Sequence, residues 1–340
     1  MILLLALACA GPPEGLSVVD GLALDLDGAP LAASLTLVDA ETGAWLGEAE
    51  ADDQGAFTLS VAAPAHGAVA LWGAAEGRRG AAAWSWLDPG ADATLAPLRL
   101  GPDEIATARI QLLDATTGAP VPHAAVVLRE GWDTGPERRV IAAAGADAAG
   151  VVTVSLPAGV YTATAEAADG YVPSRFPVRV GASVPQTGLL APDDGAALRA
   201  ALVWTGPDDL DLHLTGPRAD GGQFHVWAEA PVHPPRGEPI AAVELEGAGQ
   251  EAIAAVERVE GRYTLHVVDA RYALLDTSAI LAASDALVQL WWAGGSSFAR
   301  VNPQQDGTAW AALTLDADAP APTRPERYSR AVDPEDGGSL

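Results

Sequence analysis

The stretch SLTLVDAETG, residues 34–43, shows the pattern that decides the fold. Residues of an extended chain point to alternate sides, so Leu35 and Leu37 share one side while Thr36 and Val38 share the other. The DAETG that ends the stretch is rich in residues that favour a tight turn. Alternation with a period of two, ended by a turn, indicates a β-strand that buries one face.

Most of the chain follows the same arrangement. Short apolar runs are separated by Gly, Pro and Asp, and 36 glycines and 26 prolines are spread over the 340 residues. No segment sustains the period of an amphipathic helix. The length is sufficient for two or three domains with cores of their own. The sequence therefore predicts an all-β protein of several domains.

An internal repeat organises the first half of the chain. ADDQGAFTLSV at 51–61 matches ADAAGVVTVSL at 146–156, and DGAPLAASLTLVDAETG at 27–43 aligns with TGAPVPHAAVVLREG at 117–131. The offset of about 90 to 95 residues is the size of one sandwich domain rather than of one solenoid turn. Two tandem copies of one β-sandwich are therefore predicted, over residues 16–100 and 101–184.

Each copy contains a D-x-x-G turn followed by an alternating strand. Asp53 or Asp147 can accept hydrogen bonds from the turn, and Gly55 or Gly150 can adopt the positive φ that it needs. The alternation of the next strand predicts the following core residues: Phe57, Leu59 and Val61 in the first copy, and Val152, Val154 and Leu156 in the second.

These segments, together with LPAGVY at 156–161, resemble the carboxypeptidase regulatory-like domain, a transthyretin-like β-sandwich. The second copy is more similar to that family, since APAHGAV replaces the last segment in the first copy. The resemblance implies modules that act as spacers or support neighbouring domains in secreted and surface proteins. It implies no peptidase activity, because the zinc-binding patterns HxxE and HExxH are absent.

A third block opens with WTGPDDLDLHLTGP at 204–217, a turn followed by a strand. Alternation buries its leucines and places Asp209, Asp211 and His213 on the opposite face. Carboxylates two residues apart lie within about 7 Å of each other and repel, unless water or a cation intervenes. Three interpretations are open for this polar face: a solvated strand surface, a structural calcium site or a catalytic cluster.

This motif resembles the start of a poorly characterised bacterial family of YfaP-like domains, found in secreted proteins. It is also similar to bacterial pre-peptidase C-terminal domains, which are β-sandwiches. The likeness continues through 243–270 and 288–301. It implies a third, larger and jelly-roll-like sandwich over 187–318. Three tandem β-sandwich domains are expected in all, the first two transthyretin-like or immunoglobulin-like.

The acidic residues of the third block are candidate metal ligands. Calcium is a hard cation that takes several oxygen ligands from carboxylates and carbonyls. Asp209 and Asp211, with Glu246 and Glu251 from a later segment, therefore form the predicted calcium-binding set. Calcium is the one cofactor that the sequence predicts.

Histidine and nucleophile chemistry has less support. A zinc site at His213 needs another nitrogen ligand, which His225 or His266 supplies only if the fold brings them together. The GxSxG, P-loop and GxGxxG patterns are absent. No catalytic residue is predicted, and we do not expect the chain to be an enzyme.

Tryptophan is abundant, with ten residues against four phenylalanines. AAAWSWLDPG at 81–90 places Trp84 and Trp86 on one face of a strand. Two indoles side by side form a candidate ligand-binding surface, because flat aromatic rings stack on sugar rings. Burial of both indoles in a sandwich core is the alternative.

Charge excludes one class of partner. The chain has 45 acidic residues against 19 cationic ones, all of them arginine, for a net charge of -26 at pH 7. This charge repels phosphate backbones and anionic lipid headgroups. Nucleic acid is therefore not an expected partner. The charge favours a protein that is kept soluble outside the cytoplasm.

The N-terminus MILLLALAC ends in the only cysteine of the chain, so no internal disulfide forms. The apolar run followed by Ala8 and Cys9 resembles the signal peptide and lipobox of bacterial lipoproteins. The resemblance implies cleavage after residue 8 and acylation of Cys9. The pattern departs from that family in having Ala6 where Leu is usual and no basic residue before the run. An apolar N-terminus with an incidental cysteine is the alternative.

The segments at the two ends of the sandwiches complete the expected organisation. Residues 9–15, with GPPEG, have the composition of a flexible tether. Residues 319–340 combine prolines with scattered charge and are predicted to be a disordered tail.

Together these features predict a non-enzymatic lipoprotein of the bacterial cell envelope, held in the membrane by Cys9. The expected location is the outer membrane or the cell surface. The β-sandwich modules would be displayed in a structural role or would bind a glycan, peptide or protein ligand. The alternative function is a secreted or surface hydrolase that acts on the cell wall or on a polysaccharide.

Overall fold

The computed structural model describes residues 16–329, apart from 63–66, 88–89, 167–169, 235–239, 248, 274–277, 304–306, 317–318, 320 and 325–326. The side chains of residues 84, 86, 166 and 327–329 also lie outside the described part. Within it the chain is all-β, as the alternating pattern predicts, with 26 strands and one short helix. No helix in the described ranges is long and apolar enough to cross a membrane.

Eight strands form the first sandwich: β1 (Ser17–Leu24), β2 (Ser34–Asp39), β3 (Trp45–Glu50), β4 (Ala56–Val61), β5 (Ala68–Ala74), β6 (Ala81–Trp86), β7 (Ala93–Thr94) and β8 (Leu98–Arg99). One sheet has the order β4-β1-β7, with β8 also paired to β1, and the other has the order β3-β2-β5-β6. Leu35, Leu37 and Leu71 are buried in the core between them, on the side that alternation predicts.

Seven strands form the second sandwich: β9 (Ile105–Asp114), β10 (Ala125–Glu130), β11 (Val140–Gly145), β12 (Val151–Pro157), β13 (Gly159–Glu166), β14 (Ser174–Val180) and β15 (Gln186–Leu190). Its sheets, β12-β9-β15 and β11-β10-β13-β14, follow the strand order of the first sandwich. Even a β-bulge is shared, between Leu128 and Arg129 here and between Leu37 and Val38 in the first copy. The repeat in sequence is therefore a repeat of topology.

The D-x-x-G turns are built alike in both copies. Asp147 Oδ1 accepts two backbone N–H hydrogen bonds, both of 2.9 Å. In the first copy the same two bonds, of 2.9 and 2.8 Å, go to Asp52. The prediction of Asp53 is therefore wrong, because the acceptor stands three residues before the positive-φ glycine. Gly55 and Gly150 both have a φ of +75°.

The third sandwich contains the remaining elements: β16 (Leu198–Val203), β17 (Leu210–Pro217), β18 (Gln223–Val226), β19 (Val232–His233), β20 (Ala241–Gly247), β21 (Gln250–Ala255), β22 (Arg262–Asp269), α1 (Ile280–Ala283), β23 (Leu287–Trp292), β24 (Gly295–Arg300), β25 (Ala309–Asp316) and β26 (Arg327–Ser329). The six-stranded sheet is β19-β20-β21-β16-β23-β24, and the five-stranded sheet is β18-β17-β22-β25-β26. Leu210, Leu212 and Leu214 are fully buried between the two sheets, as alternation predicts.

By its internal contacts the chain divides into two compact units. The first contains residues up to 106 together with 156–160 and 179–183. The second contains the rest of the second sandwich and the whole third sandwich. Within the second unit, part of the outer face of the six-stranded sheet is buried. Trp291, Ala201 and Ala252 on that face pack against Leu189 and Ala191 of the second sandwich.

Buried hydrogen bonds reinforce this interface. The fully buried side chain of Gln289 accepts a bond from the N–H of Leu189 at 2.9 Å. Its Nε2 donates to the carbonyls of Leu189, at 3.2 Å, and Arg175, at 3.1 Å. The Trp291 indole N–H donates to Ser174 Oγ at 2.8 Å. Since buried polar groups are costly to separate from their partners, these bonds hold the second and third sandwiches together as one piece.

The segment after β25 corrects one prediction. Arg324 Nη2 donates to Asp133 Oδ2 at 2.7 Å, Arg324 Nε donates to the carbonyl of Phe298 at 2.8 Å, and β26 pairs with β25. The prediction of a disordered tail from residue 319 is therefore wrong for this part. Strand pairing at the edge of β25 and a tertiary ion pair order it, and neither is visible in composition.

Candidate functional site

The polar face of β17 is covered rather than solvated. Asp211 is 8% exposed and His213 is 6% exposed. His266 of β22 stands directly opposite His213, and Trp227, just after β18, stacks on the His213 ring with centroids 5.7 Å apart and planes 7° from parallel. The interpretation of this face as a solvated strand surface is wrong for Asp211 and His213, which neighbouring side chains cover, whereas Asp209 is exposed.

Three histidines meet here: His213 of β17, His225 of β18 and His266 of β22. The Nδ1 of His213 lies 2.9 Å from the Nε2 of His225, so one ring donates a hydrogen bond to the other. His213 Nε2 and His266 Nδ1 are buried, and neither has a hydrogen-bond partner in the described structure. We call these residues the histidine cluster. A zinc site at His213 required the fold to bring His225 or His266 to it, and both lie beside it.

The histidine cluster is neutral near pH 7. Burial, which disfavours a charged ring, lowers the pKa of His213 to about 3 and the pKa of His225 and His266 to about 4. Electrostatic repulsion from the neighbouring rings lowers the pKa of His213 and His266 further. Neutral imidazoles in this state can exchange hydrogen bonds but carry no positive charge toward the acids nearby.

Two carboxyl groups are buried at the start of β17. Glu251, from β21 in the opposite sheet, is 6% exposed and accepts a hydrogen bond from the backbone N–H of Leu212 at 2.6 Å. The pKa of Asp211 is raised to about 7 and the pKa of Glu251 to about 8. Burial is the largest cause of both increases, and repulsion from nearby carboxylates contributes to them. Both groups therefore hold protons up to near-neutral pH.

The four predicted calcium ligands fall into two kinds. Asp211 and Glu251 are buried, whereas Asp209 and Glu246 are exposed. Glu246 of β20 stands directly opposite Glu251 of β21. Across the described residues, no three His, Cys, Asp or Glu side chains are arranged to hold a metal ion. Calcium binding by this set stays a prediction.

One groove of the third sandwich does not include the buried acids in its lining. That groove is lined by Pro217, Phe224 and Val259, among others, and neither Asp211 nor Glu251 belongs to its lining. A catalytic carboxyl must come within hydrogen-bond reach of the group it protonates or attacks. The arrangement can take up or release protons, but it does not present them at the groove.

The predicted aromatic site lies in the first sandwich. Trp84 and Trp86 belong to β6, and their side chains lie outside the described part. On the outer face of the same sheet, Trp72 of β5 is 50% exposed and Trp45 of β3 is 63% exposed. Neither residue was among the predicted site residues. Alternation carried the signal for Trp72, because this residue directly follows the inward-facing Leu71.

The predicted lipidation site, Cys9, lies outside the described residues. Acylation of this cysteine, and with it membrane attachment, stays a prediction from the sequence.

No protein-family model matches the chain, and no curated protein matches it. Among solved structures, the shaft pilin SpaA from Lactobacillus rhamnosus GG is 13% identical, covers 52% of this chain and 98% of its own, and has a TM-score of 0.22. The Bacillus anthracis TIE protein is 14% identical and covers 74% of this chain and 45% of its own, with a TM-score of 0.23. A streptococcal ancillary pilin is 13% identical and covers 53% and 63%, with a TM-score of 0.23. Such TM-scores are too low to support a functional argument.

Proposed function

We propose that the chain is a non-enzymatic lipoprotein of the bacterial cell envelope whose β-sandwiches serve as a displayed structural scaffold. The observation that carries this proposal is the buried interface between the second and third sandwiches. Its apolar contacts and the bonds of Gln289 and Trp291 join the two sandwiches, and such an interface favours a stiff connection. A stiff connection is what a scaffold needs, because it fixes where the terminal module is presented.

The buried acids support a structural role over catalysis. Asp211 and Glu251 have the raised pKa values that catalytic acids often have, but they are enclosed by the sandwich. The competing function, a hydrolase of the cell wall or a polysaccharide, requires them to reach a substrate. Turnover of such a substrate by the wild-type chain, abolished in Asp211→Ala and kept in Asp209→Ala, would overturn the proposal.

The rigidity of the scaffold is tested by distances between spin labels. Val140 in the second sandwich and Val232 in the third are both exposed, so cysteines at these positions accept labels without disturbing the core. Both are introduced in a Cys9→Ser background. We expect double electron–electron resonance to give one narrow distance distribution. A broad distribution would contradict a stiff connection.

The envelope location is tested by acylation. The full chain is produced in a bacterium fed with an alkyne fatty acid and then partitioned between detergent and water. Wild type should carry the label and enter the detergent phase, whereas Cys9→Ser should do neither. Ala10→Ser, which alters the neighbouring residue and keeps the thiol, should behave as wild type. Unlabelled wild type in the aqueous phase would refute the lipid anchor.

A further inference from the structure

One strand edge of the second sandwich is open. β11 lies at the end of the sheet β11-β10-β13-β14, and in the described structure it pairs with β10 alone. Its six residues, VIAAAG at 140–145, contain no charged or hydroxyl side chain, and none of them is buried. The outer side of this strand therefore presents backbone N–H and C=O groups that no neighbouring strand pairs, between apolar side chains. We call it the β11 edge.

The fold does not require an open edge here. β3 has the same place in the first sandwich, and its Glu48 and Glu50 are exposed. Charged side chains on an edge strand disfavour the approach of another strand. At the opposite end of the β11 sheet, β14 is largely buried, and the backbone N–H of Arg175 donates to Ser296 Oγ of the third sandwich at 3.0 Å. An apolar edge without charge or cover is a template for a further strand.

The β11 edge is regular enough to accept a second strand. Its register with β10 is unbroken over residues 142–145. Ala142 and Ala144 stand opposite core residues of β10, so they share the inward side of the sheet, and Ala143 points outward. These side chains are small on both sides of the sheet. Another backbone can therefore approach to the usual strand spacing of about 4.8 Å.

The β11 edge is also complementary to itself. A two-fold axis perpendicular to the sheet makes two copies of β11 antiparallel and keeps inward side chains opposite inward side chains. When Ala142 of each copy stands opposite Ala144 of the other, the two Ala143 residues meet at the axis. The same register brings Arg139 of each copy beside Asp147 of the other, and both residues are exposed. Opposite charges therefore meet at both ends of the paired strands.

Local charge permits this approach, although the chain has a net charge of -26. The segment ERRVIAAAGAD at 137–147 contains two acids and two arginines, so its formal charge is zero. Exposed charges farther away than the Debye length, about 8 Å at physiological ionic strength, are largely screened. Repulsion between whole chains therefore acts weakly at the β11 edge.

We propose that a second copy of this chain pairs with the β11 edge, so that two four-stranded sheets join into one sheet of eight strands. The pairing occupies the open edge of both copies, so the assembly closes as a dimer and does not grow into a fibre. The paired stretch is short, so its interface is smaller than that of a stable complex and the dimer is weak. The inference goes beyond the scaffold role, because β11 lies wholly within the second sandwich.

Sedimentation velocity of the full chain tests the proposal. The parent protein carries Cys9→Ser, which excludes dimers made by a disulfide or by a lipid. It is measured from about 1 to about 200 μM at physiological ionic strength, a range that covers the affinity of a small interface. Ala143→Lys and Ala143→Glu each place two like charges at the axis. Ser60→Lys, at an exposed position of the edge strand β4, is the matched control.

We expect the parent and Ser60→Lys to form dimers that dissociate on dilution, while the melting temperatures of all four proteins agree. Each substitution at Ala143 should weaken the dimer at least tenfold. An equal mixture of the Lys and Glu variants should recover it, because opposite charges then meet at the axis. A parent that is monomeric at every concentration, dimers undiminished by Ala143→Lys, or a mixture no more dimeric than its components would overturn the proposal.

The pairing and the scaffold role are tested separately. The spin-label distances between the second and third sandwiches are measured on labelled chains diluted with unlabelled chain, so that labels on different copies do not contribute. A broad distribution in that measurement, or absence of acylation at Cys9, would leave the β11 pairing standing.

Discussion

Replacing Asp211 with Asn tests whether the covered face of β17 holds a proton. Asn has nearly the same shape and is uncharged at every pH. Burial raises the pKa of folded Asp211 from 3.8 to about 7, so within this window the folded state keeps a proton that the unfolded state has released. The folded state binds more protons there. The free energy of unfolding of wild type must therefore fall as pH rises through the window, whereas Asp211→Asn lacks this contribution.

The magnitude follows from the width of the window. Each pH unit between the unfolded and folded pKa costs about 1.4 kcal/mol. From about pH 5 to the folded pKa of about 7 the pH rises by roughly two units. Above that pKa this contribution to the free energy of unfolding falls no further. Asp211→Asn should therefore gain about 3 kcal/mol over wild type when the pH is raised from about 5 to about 8.5. The histidine cluster is common to both proteins and cancels in the difference.

Hydrogen exchange measured by mass spectrometry gives this difference for the third sandwich alone. The opening free energies of peptides that cover β17 and β22 are compared at the two pH values, after correction for intrinsic exchange rates. Asp209→Asn, at the exposed neighbouring position, is the matched control and should parallel wild type. A difference between Asp211→Asn and wild type that changes by less than about 1 kcal/mol would refute the assignment of a buried, protonated carboxyl.

Three further outcomes are expected. Gln289→Ala should lower the free energy of unfolding, measured in urea, by about 3 kcal/mol, because buried backbone groups of the second sandwich lose their hydrogen-bond partners. The control Gln223→Ala, at an exposed position, should change this free energy by less than about 0.5 kcal/mol. A loss below about 1 kcal/mol would contradict the shared interface. Gly150→Ala should lower the free energy of unfolding, measured in thermal melts, by about 2 kcal/mol, since φ of Gly150 is +75° and a Cβ there would lie 2.9 Å from a carbonyl oxygen. The control Gly145→Ala should have a smaller effect, because the space around Gly145 is open. Equal melts for both glycine variants would show that the turn is not constrained. If the predicted set binds calcium, millimolar calcium should raise the melting temperature of wild type above its value in chelator near pH 8. Asp211→Asn should lose this increase. Identical melting temperatures with calcium and with chelator would refute the calcium prediction.

The sequence alone determined the fold class and the way its turns are made. Alternation along a strand and the D-x-x-G turn are local properties, set by the pleat of an extended backbone and by the φ that glycine permits. For that reason Leu35 and Leu37, and the leucines of β17, lie on the predicted sides. The repeat in sequence likewise became a repeat of strand order. The misplaced turn acceptor, Asp53 for Asp52, is an error of one residue in an otherwise local rule.

Tertiary structure decided what covers each face. Alternation places Asp211 and His213 opposite the leucines, but whether that face meets water depends on Trp227 and His266, which reach it through strand register alone. Register between strands far apart in the chain is set by how two whole sheets pack, and no single segment records it. The same cause buries Trp291 against the second sandwich. Local pattern names the two sides of a strand, and only the packing of the layers determines which side stays in water.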